Sequence, residues 1–268
     1  MPIIGIDYSK CTLCRTCLTA CPRYLYQENE ENAQIEFVGT IKRCVLCGQC
    51  IAQCPEEAIL YEGMGEAISI ENVGTPDKIV SYDKLYNFLA SLRSIRRYKP
   101  DKVPDELLKK VIKAMEYAAT GANMRSEKFF IVSDKSKLKE LSNAVIEEMV
   151  KDQMLNDQFN EQIRRRSQHY QYPIYFDAPH VIFISNNLNI MTGGFNIGNI
   201  VTFGRLAAQS LGLGTCWSGW TQIAIERNKE IKKIANIKGI VVAAFTIGFP
   251  DLTYYRIPPR SPKRVKGL

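Results

Sequence analysis

Cys11-Thr12-Leu13-Cys14-Arg15-Thr16-Cys17-Leu18-Thr19-Ala20-Cys21-Pro22 and Cys44-Val45-Leu46-Cys47-Gly48-Gln49-Cys50-Ile51-Ala52-Gln53-Cys54-Pro55 are two copies of one pattern. Together they hold eight of the chain's nine cysteines. Three thiolates spaced by two residues wrap one face of a metal-sulfur centre, a fourth follows after a short turn, and the proline stops that turn from continuing. Structural zinc uses paired C-x2-C hooks with a long gap between the pairs, so a third cysteine at the same short spacing, repeated, argues against zinc. A disulfide framework belongs to exported chains, and the opening Met-Pro-Ile-Ile-Gly-Ile-Asp carries no basic leader. Reduced thiols and a cytoplasmic location are therefore expected.

The duplicated run resembles the ligand run of bacterial two-cluster 4Fe-4S ferredoxins, in which each fourth cysteine serves the other cluster. On that resemblance Cys11, Cys14, Cys17 and Cys54 hold one 4Fe-4S cluster, and Cys44, Cys47, Cys50 and Cys21 hold the second.

The 268 residues suffice for two domains with cores, and 46% hydrophobic content is ordinary for a globular protein. No apolar run approaches the length of a membrane span, so no membrane partner is expected. The net charge of +7 is divided unevenly: residues 1–66 carry five Lys/Arg against nine Asp/Glu, and the rest carry thirty against nineteen. An acidic segment beside a basic one suits the docking of a redox partner. The basic charges are scattered and lack a nucleic-acid reading motif, which excludes nucleic acid as the expected ligand.

Residues 1–66 read as a compact ferredoxin-like domain with short strands at Gln34 to Val38 and Ala58 to Tyr61, helical turns at Leu18 to Ala20 and Ile51 to Gln53, and an exposed tip at Gln27 to Asn32. A connector covers residues 67–80. From Ser81 helical spacing begins (Tyr82, Leu85, Phe88, Leu89, Leu92), and a second helix opens at Pro104-Asp105-Glu106. Strands are expected at Phe129 to Val132, Val181 to Ser185 and Ile240 to Ile247, with helices at Lys137 to Met154, Ile197 to Leu211 and Ile223 to Ile234. The fold class is α+β, with residues 81–268 as a second domain built on a covered sheet.

That domain holds a second set of chemical residues. Leu92-Arg93-Ser94-Ile95-Arg96-Arg97-Tyr98 offers two forked guanidiniums and a hydroxyl, the donors a phosphate takes. It resembles the opening signature of the FMN-dependent nitroreductase family. Ala118-Ala119-Thr120-Gly121-Ala122-Asn123 resembles that family's small-residue loop beside the flavin, and Leu211-Gly212-Leu213-Gly214-Thr215-Cys216-Trp217-Ser218-Gly219 resembles its G-L-G-T-x-W loop. Ile247-Gly248-Phe249-Pro250, ahead of Pro258-Pro259-Arg260, resembles the closing strand and C-terminal arginine. Four segments in the family's order carry evidence that one lacks.

The resemblance implies an α/β sandwich with a central, mostly antiparallel sheet covered by helices. It also implies a homodimer and an FMN site formed by Arg93, Ser94, Arg96, Thr120, Gly121, Asn123, Trp217, Ser218, Gly219 and Arg260. The chain departs from the family after Asn123, where Met124-Arg125-Ser126-Glu127 replaces Gln-Pro-Trp; Arg125 is a candidate contact there, and Lys263 and Arg264 are read as a charged tail.

The remaining candidates have plainer readings. His169 and His180 lack a nucleophile arrangement and are assigned to a surface or a strand end. Cys216 is read as a packing residue. Trp217 and Trp220 are divided between flavin stacking and core packing, and the aromatic run from His169 to Phe176 between a lid over the flavin and simple interface packing. No catalytic side chain is assigned, because in such enzymes the cofactor performs the chemistry.

The expected function is a flavin-dependent oxidoreductase in which two 4Fe-4S clusters pass single electrons to FMN, which reduces a small organic acceptor: a nitroaromatic, a quinone, an activated alkene or a flavin. The donor is a low-potential protein such as ferredoxin, or NAD(P)H binding transiently. The rival reading is an electron-transfer or redox-sensing module that relays electrons between proteins.

Overall fold

The computed structural model describes residues 2–40, 43–151, 156–186 and 193–267. By its contacts the chain divides into two units: Met1–Ser81 with Ala122–Met124, and Tyr82–Gly121 with Arg125–Leu268.

In the first unit β1 (Ile3–Ile6) leads to α1 (Thr16–Ala20), β2 (Tyr26–Asn29), β3 (Gln34–Phe37), α2 (Gln49–Gln53) and β4 (Ile59–Tyr61). β1 pairs antiparallel with β4, and β2 with β3. The expected tip is shorter than Gln27 to Asn32, because Gln27, Glu28 and Asn29 pair with Glu36, Ile35 and Gln34. Ile3, Ile6, Tyr26, Ile35, Ala58 and Ile59 form a small buried core, with Cys11, Cys17, Cys21, Cys44, Cys50 and Cys54 packed around it. A core this small is a weak source of stability, so bound groups are expected to contribute folding energy.

The repeat in sequence is a repeat in backbone conformation. Leu13, Arg15 and Tyr24 take left-handed φ values of 56°, 62° and 53°, and the equivalent Leu46, Gly48 and Glu57 take 55°, 70° and 51°. Left-handed L-residues cost roughly 1–2 kcal/mol each, and such strain persists where the surroundings over-determine it.

The second unit opens with α3 (Tyr82–Ser91) and α4 (Asp105–Met115), the latter entered through Pro104 with Asp105 and Glu106 in its first turn. β5 (Lys128–Val132), α5 (Lys135–Met149), α6 (Asn156–Ser167), β6 (His180–Asn186), α7 (Gly193–Ser210), β7 (Gly214–Trp217), α8 (Gly219–Arg227) and β8 (Ile240–Gly248) follow. The sheet order is β5-β6-β8-β7, antiparallel throughout. Isolated bridges join Ser94 to Thr215 of β7 and Tyr98 to Pro250, just past β8.

Both faces of the sheet are covered, and alternation decides what each face meets. Val181 and Phe183 of β6 point with Ala244 of β8 into a core shared with α5, α6 and α8. Ile182, Ile184, Phe245 and Ile247 point the other way, onto α4 and α7.

Three expectations need correction. The helix expected from Lys137 to Met154 is α5, which ends at Met149; Met154 lies outside the described residues, and a separate helix, α6, follows. The helix expected from Ile223 to Ile234 is two pieces, because Asn228 is extended (φ −130°, ψ 96°) between α8 and a short 3-10 turn at Ile231–Ala235. Gly214–Trp217, read as a loop, is a strand.

Candidate functional site

In the first unit two hollows sort the eight thiols by geometry. One is lined by Cys11, Cys14, Cys17 and Cys54 with Ile6, Ile35, Ala58 and Ile59, and the other by Cys21, Cys44, Cys47 and Cys50 with Tyr26, Phe37 and Met64. Each encloses a cavity of about 20 Å³. In each hollow one cysteine thus comes from the other run, because α1 and α2 deliver Cys21 and Cys54 at their C-terminal caps in extended conformation. The donated backbone bonds repeat as well: Leu25 N–H donates to Cys21 Sγ (3.4 Å) and Ala58 N–H to Cys54 Sγ (3.3 Å).

All nine cysteines are free thiols. Among the described residues no three His, Cys, Asp or Glu side chains are grouped for a single ion. Four soft donors around a hollow, with apolar walls and N–H donors aimed at sulfur, fit an iron-sulfur cubane.

In the second unit the expected Arg93-Ser94-Arg96 grip is split. Ser94 bridges to Thr215, and strand alternation there sets Arg93 on the opposite face from Ser94. Arg93 donates through Nη1 to the Leu92 carbonyl (2.5 Å), while its buried Nε and Nη2 have no partner. It lines a recess of about 240 Å³ with Ser91, Tyr254, Tyr255, Arg256 and Ile257. Arg256 lines this recess, and Arg260 is exposed in the tail beyond it.

Ser94 and Arg96 instead join two arginines not read from the sequence. Arg205 of α7 donates to Ser94 Oγ (3.4 Å) and Thr215 Oγ1 (3.2 Å). Arg166, at the end of α6, stacks between Phe176 and Trp220, its Cζ 4.7 and 4.6 Å from the ring centroids; Arg96 lies over the same Phe176 at 5.9 Å. The neighbouring Arg164 and Arg165 are bound to Glu161, and Arg97 pairs with Asp251. Arg93, Arg96, Arg166 and Arg205 have no carboxylate partner among the described residues. Burial pushes Arg205 below the usual guanidinium range, and burial together with the charge of Arg96 does the same to Arg166. Guanidiniums gathered against both desolvation and mutual repulsion make a site for an anion.

The remaining expected residues are placed as follows. Thr120 Oγ1 accepts from Arg125 N–H, and Gly121 N–H donates to Asn196 Oδ1. Asn123, which belongs to the first unit, donates through Nδ2 to the carbonyls of Val45 (3.1 Å) and Leu46 (2.8 Å), between Cys44 and Cys47. Trp217 packs on the α4/α7 core. Ser218 turns its hydroxyl inward to Thr221, which donates to Tyr175, and Gly219 opens α8. Thus Ser94 and Arg96 share one neighbourhood with Arg205 and Thr215, Arg93 lines a recess of its own, and Arg260 is exposed.

Of the aromatic run, Tyr172, Ile174, Tyr175 and Phe176 are buried. Cys216 is buried, as a packing residue should be, and Trp220 meets Phe159 edge-on. His180 sits at a strand end but is buried, accepting from Val103 N–H at Nε2 (2.9 Å) and bonding Ser133 Oγ at Nδ1 (2.6 Å).

A family model described as the Nitroreductase family matches residues 89–249. The chain belongs to the nitroreductase family. It is therefore an oxidoreductase, and a model described as a 4Fe-4S dicluster domain matches residues 3–55 ahead of the family's own domain. Comparison with curated proteins gave no match.

Among solved structures, a Bacteroides fragilis nitroreductase with bound FMN is 19% identical, covers 69% of this chain and 97% of its own, and superposes with a TM-score of 0.56. A Desulfitobacterium hafniense nitroreductase with bound FMN gives 21%, 66%, 93% and 0.56, and a BluB-like flavoprotein of Clostridium difficile gives 20%, 66%, 94% and 0.54. At such identities the likeness establishes the nitroreductase fold. No helix among the described residues is long and apolar enough to cross a membrane.

Proposed function

We propose that this nitroreductase-family chain is a flavin-dependent oxidoreductase in which two 4Fe-4S clusters feed FMN, and reduced FMN is discharged on a small organic acceptor. The observation that carries the flavin part is the carboxylate-free gathering of Arg96 and Arg205 at Ser94, with Arg166 over the same Phe176 ring as Arg96. When bound, the clusters supply one-electron transfer and FMN converts single electrons into a hydride.

The chain's own residues bind and orient. Two crossed sets of four cysteines hold the clusters. Ser94, Arg96 and Arg205 offer forked and hydroxyl donors to the phosphate, and Arg166, clamped by two rings, adds charge without needing a counter-ion. The first N–H groups of α8, at Gly219 and Trp220, lack intrahelical partners and present donors beside β7. Arg93, with two orphaned nitrogens, offers a further anion contact in its own recess.

The expected homodimer is part of the proposal: Leu85, Tyr86 and Leu89 on α3, and Tyr254, Tyr255 and Ile257 in the tail, are exposed apolar residues that a second copy would cover. The donor is a low-potential ferredoxin-like protein or NAD(P)H; the acceptor is a nitroaromatic, quinone, activated alkene or flavin.

The test is anaerobic reconstitution with iron, sulfide and FMN, followed by reduction and exposure to a panel of small acceptors. Stoichiometric FMN and reoxidation by at least one acceptor class are expected. A protein whose bound flavin is reoxidised only by a second redox protein is a relay, and one that binds no flavin overturns the reading.

A further inference from the structure

The two cluster hollows are not equivalent. Tyr26, at the start of β2, lines the second hollow together with Cys21, Cys44, Cys47 and Cys50. The residue is 6% exposed, its ring is held against Phe37 with centroids 5.1 Å apart, and its hydroxyl is sealed from solvent without any hydrogen-bond partner. Cys50 packs against the same small core that holds Tyr26 and lines the same hollow. A buried phenol O–H left unpaired is costly, and phenylalanine would fill the same space without that cost.

The first hollow has no such group. Its walls near Cys17 and Cys54 are Ile6, Ile35, Ala58 and Ile59, and its hydroxyl contact, Thr16 Oγ1 at 3.4 Å from Cys14 Sγ, is at an exposed cysteine. Water competes for that contact, whereas none reaches Tyr26.

We propose that the Tyr26 hydroxyl is a built-in hydrogen-bond donor to the Cys50 sulfur of the second cluster, and that it raises that cluster's reduction potential relative to the first. The inference rests on reading the two hollows as cluster sites. Reduction adds negative charge to the cluster and its ligand sulfurs, so a donor aimed at sulfur stabilises the reduced form more than the oxidised one. In a low-dielectric wall that preference is larger than at the exposed Cys14. Tyr26 is a positioning residue in this scheme: it touches a ligand, not the substrate, and it orders the two carriers so that the second is the easier to reduce.

The experiment compares the full-length chain and Tyr26→Phe, both reconstituted anaerobically, by iron and sulfide analysis and by an EPR-monitored redox titration. Tyr26→Phe should keep full iron and lower one of two potentials by up to a tenfold change in the reduction equilibrium, about 59 mV for one electron, while the other stays. In a Cys54→Ser background, where the first hollow lacks a ligand, the surviving potential should carry the shift. Phe37→Leu, which alters the packing of the ring but keeps the hydroxyl, should leave both potentials in place. Two unmoved potentials in a fully loaded Tyr26→Phe protein would overturn the proposal, and so would selective loss of the second cluster, which would make the hydroxyl a requirement of assembly. A wild-type chain that binds no clusters would instead sink the underlying reading of the hollows.

Discussion

Cys54 shares a hollow with Cys11, not with Cys44, Cys47 and Cys50 of its own run. The crossing makes a prediction about pairs of substitutions. Cys11→Ser with Cys54→Ser strikes one ligand set twice and should leave about half the wild-type iron, whereas Cys44→Ser with Cys54→Ser strikes both sets and should leave little. Iron analysis of the two double variants, reconstituted in parallel, reads the difference directly. The reverse order, about half the iron in Cys44→Ser with Cys54→Ser and little in Cys11→Ser with Cys54→Ser, would mean that each run holds its own cluster.

Arg205 donates to Ser94 from a half-buried position with no carboxylate to satisfy it, so the phosphate of FMN should be its counter-ion. A hydrogen bond to a charged group is worth about 1.5–3 kcal/mol, so Arg205→Gln should weaken FMN binding by roughly tenfold to a hundredfold. Riboflavin, which lacks the phosphate, should bind both forms alike. Arg97→Gln, which removes only an exposed pair with Asp251, serves as the control and should change neither. Fluorescence titration of the flavins measures all six affinities, and equal FMN affinities for the wild type and Arg205→Gln would rule out the assignment.

What was legible in the sequence was what local spacing determines. The cysteine runs, the amphipathic α4 behind Pro104 and the apolar β6 and β8 all carry their pattern within one stretch of chain. α6 was missed because Phe159 and Ile163 are its buried apolar residues in an otherwise polar helix, too few to set a period. β7 was hidden by the glycines around it, and the break at Asn228 has neither Gly nor Pro to announce it. Arg205 was out of reach for another reason. It looks like an ordinary charge on a helix until the fold brings it to Ser94, 111 residues away in the chain. The residue types of the anion site were readable, but their assembly depends on long-range pairing.

His180 gives a pH prediction. With Nε2 accepting from Val103 N–H, the ring proton sits on Nδ1 and is donated to Ser133, so the neutral tautomer is the one the fold satisfies. Burial, with Lys102 adding to it, lowers its pKa from 6.5. The unfolded state therefore takes up its proton first. The contribution to stability is complete above pH 6.5 and declines as the pH falls from there through the folded-state pKa. Proton NMR of the imidazole ring, assigned by its loss in His180→Gln, should show a midpoint below 6.5; a midpoint at or above 6.5 would contradict the buried neutral ring.

Gly214 and Gly212 should fail differently when replaced by alanine. Gly212 has φ +73° with open space around it, so Gly212→Ala pays only for the left-handed backbone, about 1–2 kcal/mol. At Gly214 a Cβ would lie 2.5 Å from Ile95 Cγ1 and 2.8 Å from Ile95 Cβ. Ile95 is fixed there because its N–H donates to the Thr215 carbonyl (2.9 Å), so relief requires moving the segment that carries Ser94 and Arg96. Gly214→Ala should therefore cost about 1–3 kcal/mol and also weaken FMN binding, while Gly212→Ala should leave flavin affinity unchanged. Ile95→Val does not rescue it, since valine keeps the Cβ and both γ carbons. Thermal unfolding paired with FMN titration separates the two: a Gly214→Ala protein that loses stability but binds FMN normally would show that the anion site does not depend on the register between Ile95 and Thr215.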